Sequence, residues 1–462
     1  MLFNGKHLWS DQLPWSYIPH WILITAPIFL LIGLILFLIF YLIKVNFNRQ
    51  LILGFLAFTA IFPVSYAIFK GSQLYDGMRH FLFVMPVLAT LAAWGWHRLI
   101  SFKPGIPSLV GSGVLAILLA IPTFWMVKNH PYQGLYFNEL SGGLKNAYGK
   151  YETDYWMVSV KNMTDWLVEN EPGIKGGEKL IIRTNAYEPF KHYMNQIAPN
   201  VTPGYLSYAD RYKYPTDYFM FISRFVDKGL IDNGHFPPAN VVYEERVDGV
   251  LIGVITKRVA NFDAEAAQVI KTRDFTEAAR LYDKQLQLEP NNESTLENAI
   301  KNAINLQDNG LLKKYAEQLG ALSDSYPSGA YYQGIYHNNT GNTEEAKKYF
   351  EKTVDLNIKY SPAYYYLAAI YARESNFTKA LDAVEMYDHV GGNATQVFDI
   401  GIQTANQLGS KSKSLYFQAK KGYLQKDFQN SYNLVKQSVA LDPTYERAVK
   451  LEEVYNKSAG LQ

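Results

Sequence analysis

Four apolar runs crowd the first 128 residues, and they limit the chain to folds that can house that much hydrocarbon. Residues 21–43 and 51–69 carry no charge, and Pro63 lies inside the second run. Residues 81–96 contain Pro86 and extend to about 100 past His97 and Arg98, while 108–127 contain Pro122. A bilayer crossing takes roughly 20 apolar residues, so about four transmembrane helices are predicted near 21–43, 51–69, 81–100 and 108–127. Proline is tolerated in such helices where neighbours satisfy the freed carbonyls. The first run is too long for a cleaved leader, lacks a basic start and is followed at once by further spans. Lys44, Arg49, Arg98 and Lys103 on one side nearly balance Lys6, Lys70, Arg79 and Lys128 on the other, so charge does not set the orientation. Trp9, Trp15, Tyr17 and Trp21 fit an interfacial aromatic belt.

Past residue 128 the composition changes to evenly spread polar and charged residues. Residues 130–156 read HPYQGLYFNELSGGLKNAYGKYETDYW, too polar for a bilayer and unlike a generic linker. Residues 157–258 predict a small α/β unit. Val160, Met163, Trp166 and Leu167 share one helical face. KLIIRTNA (179–186) and YFMFIS (218–223) are strand-like. Residues 241–258 form a hairpin pattern around Asp248-Gly249, a strong two-residue turn signal. This order predicts a mixed sheet.

The last 200 residues repeat. Ala278 to Ala346 is 68 residues, twice 34, and Ala346 to Ala380 is 34. A small residue followed four positions later by a larger apolar one (Tyr282, Phe350, Val384), at this helical period, predicts tetratricopeptide-type repeats. The small residue lets two helices approach closely. The register then departs, because Ala380 to Ser431 is 51. The expected fold class is a membrane α-helical region of about four spans (1–129), an extracytoplasmic α/β domain (130–258) and an all-α repeat solenoid (259–462).

A net charge of +2 gives no basic face for nucleic acid. The absence of cysteine excludes disulfides, thiolate catalysis and Cys-ligated metals. His7, His20, His97 and His130 lack metal-like spacing, and no cofactor motif stands out, so neither a metal nor a cofactor is expected. Asp154 suits a helix cap before 157–169. The loop KGSQLYDGMRHFLFVMP (70–86) places Asp76, Arg79 and His80 beside the start of a span. An arginine at headgroup depth suits a lipid-linked phosphate, because its planar fork pairs two phosphate oxygens. The plainer reading is a polar loop with an Asp–Arg pair.

LYDGMRHFLFVMP, the 130–156 stretch and the helix ending DWLVEN together resemble the C-terminal part of bacterial membrane glycosyltransferases that use polyprenyl-phosphate-linked sugars, similar to protein mannosyltransferases and aminoarabinose transferases. The opening PWSYIPHWILITAPIFLLIG resembles the later spans of that family. The resemblance covers roughly residues 10–258. It implies sugar transfer from a polyprenyl-phosphate donor to an acceptor at the outer face of the inner membrane, with an acidic residue as general base. It also implies that the soluble half is extracytoplasmic and that Arg79 contacts lipid phosphate. The family carries its catalytic acid in an early outer loop with no counterpart here. These residues are therefore expected to be an incomplete C-terminal part, and no catalytic residue is assigned. The alternative is a non-enzymatic, membrane-anchored repeat scaffold, whose repeats bind a protein or peptide. A transporter subunit is disfavoured, because no ionisable residue lies within the spans except His97 and Arg98 near the interface end of the third.

Overall fold

The computed structural model describes the chain except Gln12, Asp76 and residues 44–46, 103–104, 212–213 and 460–462. Contacts divide it into two compact units, Met1–Thr295 and Leu296–Gln462.

The first unit opens with a small hairpin, β1 (Leu2–Phe3) against β2 (Lys6–His7). Then come α1 (Tyr17–Thr25) and α2 (Ile28–Leu42), bent by 117° at the intervening break. The single span expected over 21–43 is thus two helices. Pro27 ends the first, and the 15 residues of α2 rise only about 22 Å, short of a hydrocarbon core of about 30 Å. Three further helices follow: α3 (Phe47–Phe69), α4 (Met85–Phe102), entered through a 3-10 turn at Arg79–Val84, and α5 (Ile106–Lys128). Among the described residues, the segments Asn48–Phe69, Arg79–Ser101 and Ile106–Lys128 are long and apolar enough to cross a membrane, with a fourth if the bent pair is taken as one span. Phe55, Ile61, Leu109 and Phe124 stand exposed on these helices, as they would facing hydrocarbon rather than water.

α2 and α4 cross closely. A Cβ added at Gly95 would lie 2.2 Å from the carbonyl oxygen of Gly33, so only glycine fits there. Trp96 Nε1 donates to the Phe29 carbonyl at 2.8 Å across the same crossing.

Residues 130–156 form a collar of two 3-10 turns and α6 (Gly143–Ala147). Leu135, Phe137, Leu144 and Tyr151 bury against Tyr17, Ile18, Trp21 and Ile24 of α1. Tyr17 and Trp21 are therefore core residues, not members of an interfacial belt, whereas Trp15 is exposed.

The α/β region follows, with α7 (Ser159–Asn170), α8 (Pro172–Lys175), β3 (Leu180–Thr184), α9 (Tyr187–Ile197), β4 (Val201–Tyr205), β5 (Tyr218–Ile222), α10 (Lys228–Asp232), β6 (Val241–Val247) and β7 (Val250–Lys257). The sheet order is β4-β3-β5-β7-β6. β3 runs parallel to β4 and β5, and β7 is antiparallel to β5 and β6. The sheet is mixed, as the pattern predicts. α7 and α9 bury Val160, Met163, Leu167, Phe190 and Met194 against Ile182, Met220, Ile222 and Ile255. The sequence pattern did not reveal β4, whose Pro203 and Gly204 are weak strand formers. The strand is on the edge, where a missing N–H is tolerated.

At the β6–β7 turn, Asp248 and Gly249 both have positive φ (49° and 80°), as a two-residue hairpin turn of this hand requires. Asp248 accepts from Lys128 Nζ at 3.2 Å and from Trp125 Nε1 at 3.4 Å, which ties the turn to the end of α5. Val247, Val250 and Ile252 join the core shared by the collar and α1.

α11 (Phe262–Val269), α12 (Phe275–Leu288) and the first residues of α13 (Glu293–Leu306) complete this unit. Two buried ion pairs anchor them to the α/β region, Arg258–Asp263 and the two-pronged Arg211–Glu293.

The second unit continues with α14 (Asn309–Leu322), α15 (Pro327–Asn339), α16 (Thr343–Leu356), α17 (Ser361–Arg373), α18 (Phe377–His389), α19 (Thr395–Gln407), α20 (Lys411–Leu424), α21 (Phe428–Leu441) and α22 (Glu446–Ala459). Tight turns with positive φ recur at Arg273, Gln307, Gly341, Ser375 and Gly409, each 34 residues after the last. Asp274, Asp308, Asn342 and Asn376 follow the first four and cap the next helix through their side chains. Ala278, Ala346 and Ala380 are fully buried, and a Cβ at Gly334 would come within 2.7 Å of Phe350. This is the tetratricopeptide-type arrangement of close helical hairpins.

The 51-residue gap is one 34-residue period plus a half-period shift of 17. Buried Ser414 and Ala448 continue the 34-residue spacing from Ala380. Ser431 lies halfway between them, and another tight turn falls at Lys426, 17 residues after Gly409. α20 packs as a hairpin partner of both α19 and α21.

Candidate functional site

Of the three residues singled out by sequence, Arg79 and His80 lie in the 3-10 turn that leads into α4, and both are exposed. Asp76 lies outside the described residues. The loop is held from below. Gly77 N–H donates to the Tyr17 hydroxyl at 2.9 Å, and Phe81 and Val84 are buried. The Arg79 guanidinium donates to the Tyr155 hydroxyl and sits 5.6 Å from the centre of that ring. Arg224 approaches the same ring at 4.8 Å and pairs with Glu152 at 3.0 Å. His80 makes a ring contact with Tyr75 at 6.0 Å. The collar thus supplies a tyrosine flanked by two guanidinium groups, a relationship that spacing along the chain did not reveal.

Asp154 takes φ +45°. Its buried carboxylate accepts from Val158 N–H at 2.8 Å and from the Ser159 hydroxyl, so it caps the start of α7. Burial raises the Asp154 carboxyl, opposed by these hydrogen bonds and by Arg224.

The second unit offers a cleft of about 400 Å³ among α16, α17 and α18. Leu367 and Tyr371 on α17 are buried and line it together with Met386 of α18. Glu351, Asp355 and Asp382 bring carboxylates to it, against one ammonium, Lys379. The Tyr371 hydroxyl donates to Glu351 Oε1 at 2.5 Å. Burial and then this carboxylate push Tyr371 above its ordinary range, so it stays a neutral donor. Lys379 Nζ lies 5.3 Å from the Tyr371 ring centre. Tyr364, Leu367 and Tyr371 come from α17, whereas the carboxylates come from α16 and α18.

A second polar cluster is internally satisfied. Asp388 accepts from the Tyr416 hydroxyl at 2.5 Å and pairs with Lys420 at 2.8 Å, while Glu385 pairs with Lys413 at 2.9 Å. It clamps α18 to α20. No group of three or more potential metal ligands occurs among the described residues.

No protein-family model and no curated protein matches the chain. Among solved structures it is similar to MamA, at 19% identity over 35% of this chain and 95% of that one, with a TM-score of 0.31. It is also similar to YrrB, described as a TPR protein with an unusual peptide-binding site, at 14% identity over 42% of this chain and 92% of that one (TM-score 0.29). A third is PilW, a type IV pilus biogenesis factor, at 15% identity over 41% of this chain and 96% of that one (TM-score 0.30).

Proposed function

We propose that this chain is a membrane-anchored scaffold whose repeats bind a protein or peptide partner. The observation that carries this reading is the union, in one chain, of three helices long and apolar enough to cross a bilayer with a solenoid of close helical hairpins. Stacked helical hairpins expose extended surfaces suited to protein recognition. In this reading residues 1–129 anchor the chain in the inner membrane, 130–258 form a platform and 259–462 present the binding surface, all of the soluble half outside the cytoplasm. The test places photo-crosslinking residues at exposed positions of α16 and α18 in cells. A discrete cross-linked protein band is expected, together with digestion of the repeats by protease added to intact spheroplasts. Protease-protected repeats would overturn the orientation, and the absence of any discrete adduct would overturn the binding role.

A second reading rests on Arg79. Its exposed guanidinium stands at the entry of a span, beside Tyr155 and near Arg224. This geometry suits the phosphate of a polyprenyl-linked sugar, as part of a glycosyltransferase, with His80 next to Arg79 and Asp76 three positions before it in the sequence. Loss of polyprenyl-phosphate-sugar binding in Arg79→Ala, with partial retention in Arg79→Lys, is the expected result. Unchanged binding in Arg79→Ala would remove the assignment.

A further inference from the structure

The strongest unassigned feature is the cleft among α16, α17 and α18. Its position sets it apart from the satisfied cluster around Asp388. α16 and α18 flank α17, and the cleft opens over the face of α17 that carries Leu367 and Tyr371. Its size, about 400 Å³, falls in the range of binding clefts.

We propose that this cleft docks an extended peptide segment of the partner that carries lysine or arginine next to an aliphatic residue. The inference rests on the protein-binding reading above and narrows it to one surface and one partner chemistry. Charge complementarity selects the occupant. Three carboxylates, Glu351, Asp355 and Asp382, face one ammonium, Lys379. Asp355 and Asp382 are exposed and, among the described residues, form no ion pair, while Glu351 accepts from the neutral Tyr371 hydroxyl. An acidic segment would meet like charge on both walls, which disfavours it. A purely polar basic segment would leave the half-buried Val354 and Met386 uncovered. A cation set beside an aliphatic side chain satisfies both: the aliphatic group fills the floor and the cation meets the rim.

The test uses the full chain in neutral phosphatidylcholine nanodiscs and fluorescence anisotropy with short labelled probe peptides. One probe alternates lysine with leucine, a second replaces lysine by glutamate, and a third replaces leucine by serine. The first probe is expected to bind with salt-sensitive affinity. Combined Asp355→Lys and Asp382→Lys should weaken it by about tenfold or more. The control pair Glu317→Lys and Glu453→Lys carries the same change in net charge away from the cleft and should leave affinity within about twofold. Equal weakening by both pairs, or no weakening by the first, would overturn the cleft assignment while leaving the protein-binding role intact. Preference for the glutamate or serine probe, or no binding of any probe, would overturn the proposed chemistry. The protein-binding role itself fails only if the cross-linking experiment also yields no adduct.

Discussion

The Asn138 side-chain amide donates to the carbonyl oxygen of Ala26 at 2.8 Å, across 112 residues of chain. The same nitrogen reaches the Leu23 carbonyl at 2.6 Å, and the Asn138 backbone N–H donates to Ile24 O at 2.9 Å. These carbonyls belong to the end of α1, where Pro27 stops the helix and leaves them without intrahelical donors. Asn138 is fully buried, so no water can take its place. The collar therefore does more than follow the last span: it supplies the cap that lets the first apolar run break.

Asn138→Ala should destabilise the chain by about 2–4 kcal/mol, since it orphans buried carbonyls at about 1–3 kcal/mol each. Asn138→Asp should be at least as damaging, because a carboxylate cannot donate to a carbonyl. Thermal unfolding in detergent micelles, followed by circular dichroism, checks the order. A melting temperature unchanged in Asn138→Ala would contradict the capping role.

The break itself shows where sequence legibility ends. Pro27 was visible, but proline is compatible with an unbroken span, and the partner that decides the matter lies 112 residues away. The β6–β7 hairpin was legible, because Asp248-Gly249 encodes its turn locally. The 34-residue period was legible up to Ala380. Past it, Ser414 keeps the 34-residue spacing, but the turn and side-chain cap of the earlier second helices recur before Ser431, at Lys426 and Asp427, so both serines take that place. Nothing local marks the Tyr155 ring as the meeting point of Arg79 and Arg224, or brings Glu351, Asp355 and Asp382 around one cleft. Such groupings are set by tertiary packing and not by local preference.

The α2–α4 crossing yields a second prediction. Gly95→Leu forces the helices apart, because even a methyl group at that position collides with the Gly33 backbone. Limited trypsin digestion in micelles should show loss of the protected helical core. Gly113→Ala in α5 is the counterpart, since a Cβ there meets nothing within 4 Å. It should be neutral or stabilising by up to about 1 kcal/mol.

The Arg258–Asp263 pair is almost fully buried, with side chains 2% and 1% exposed. Arg258 also donates to the Tyr214 and Ala260 carbonyls at 2.6 and 2.8 Å. Burial raises the Asp263 carboxyl, and Arg258 opposes that rise. Arg258→Met alone should cost about 3–5 kcal/mol, because it strands a buried acid. Adding Asp263→Leu should recover part of the loss. A double-mutant cycle by urea unfolding measures the coupling, and strictly additive effects would show that the two groups act independently.

Asp227 caps α10 by accepting from Gly229 N–H at 2.7 Å. Burial pushes its carboxyl up to about 6, and Glu293 adds to the rise. An unfolded aspartate titrates near about 3.9. Below about pH 4 the group is protonated in both states. Between about pH 4 and 6 the folded chain keeps a proton that the unfolded chain releases, so stability falls as pH rises through that window. Above it the penalty is constant. Asp227→Asn keeps a capping oxygen without the charge. It should leave the melting temperature near that of the parent at pH 4 and raise it at pH 7, by up to about 3 kcal/mol of stability. Paired melts at the two pH values check this, and a variant that loses stability equally at both would show that the cap needs the charge.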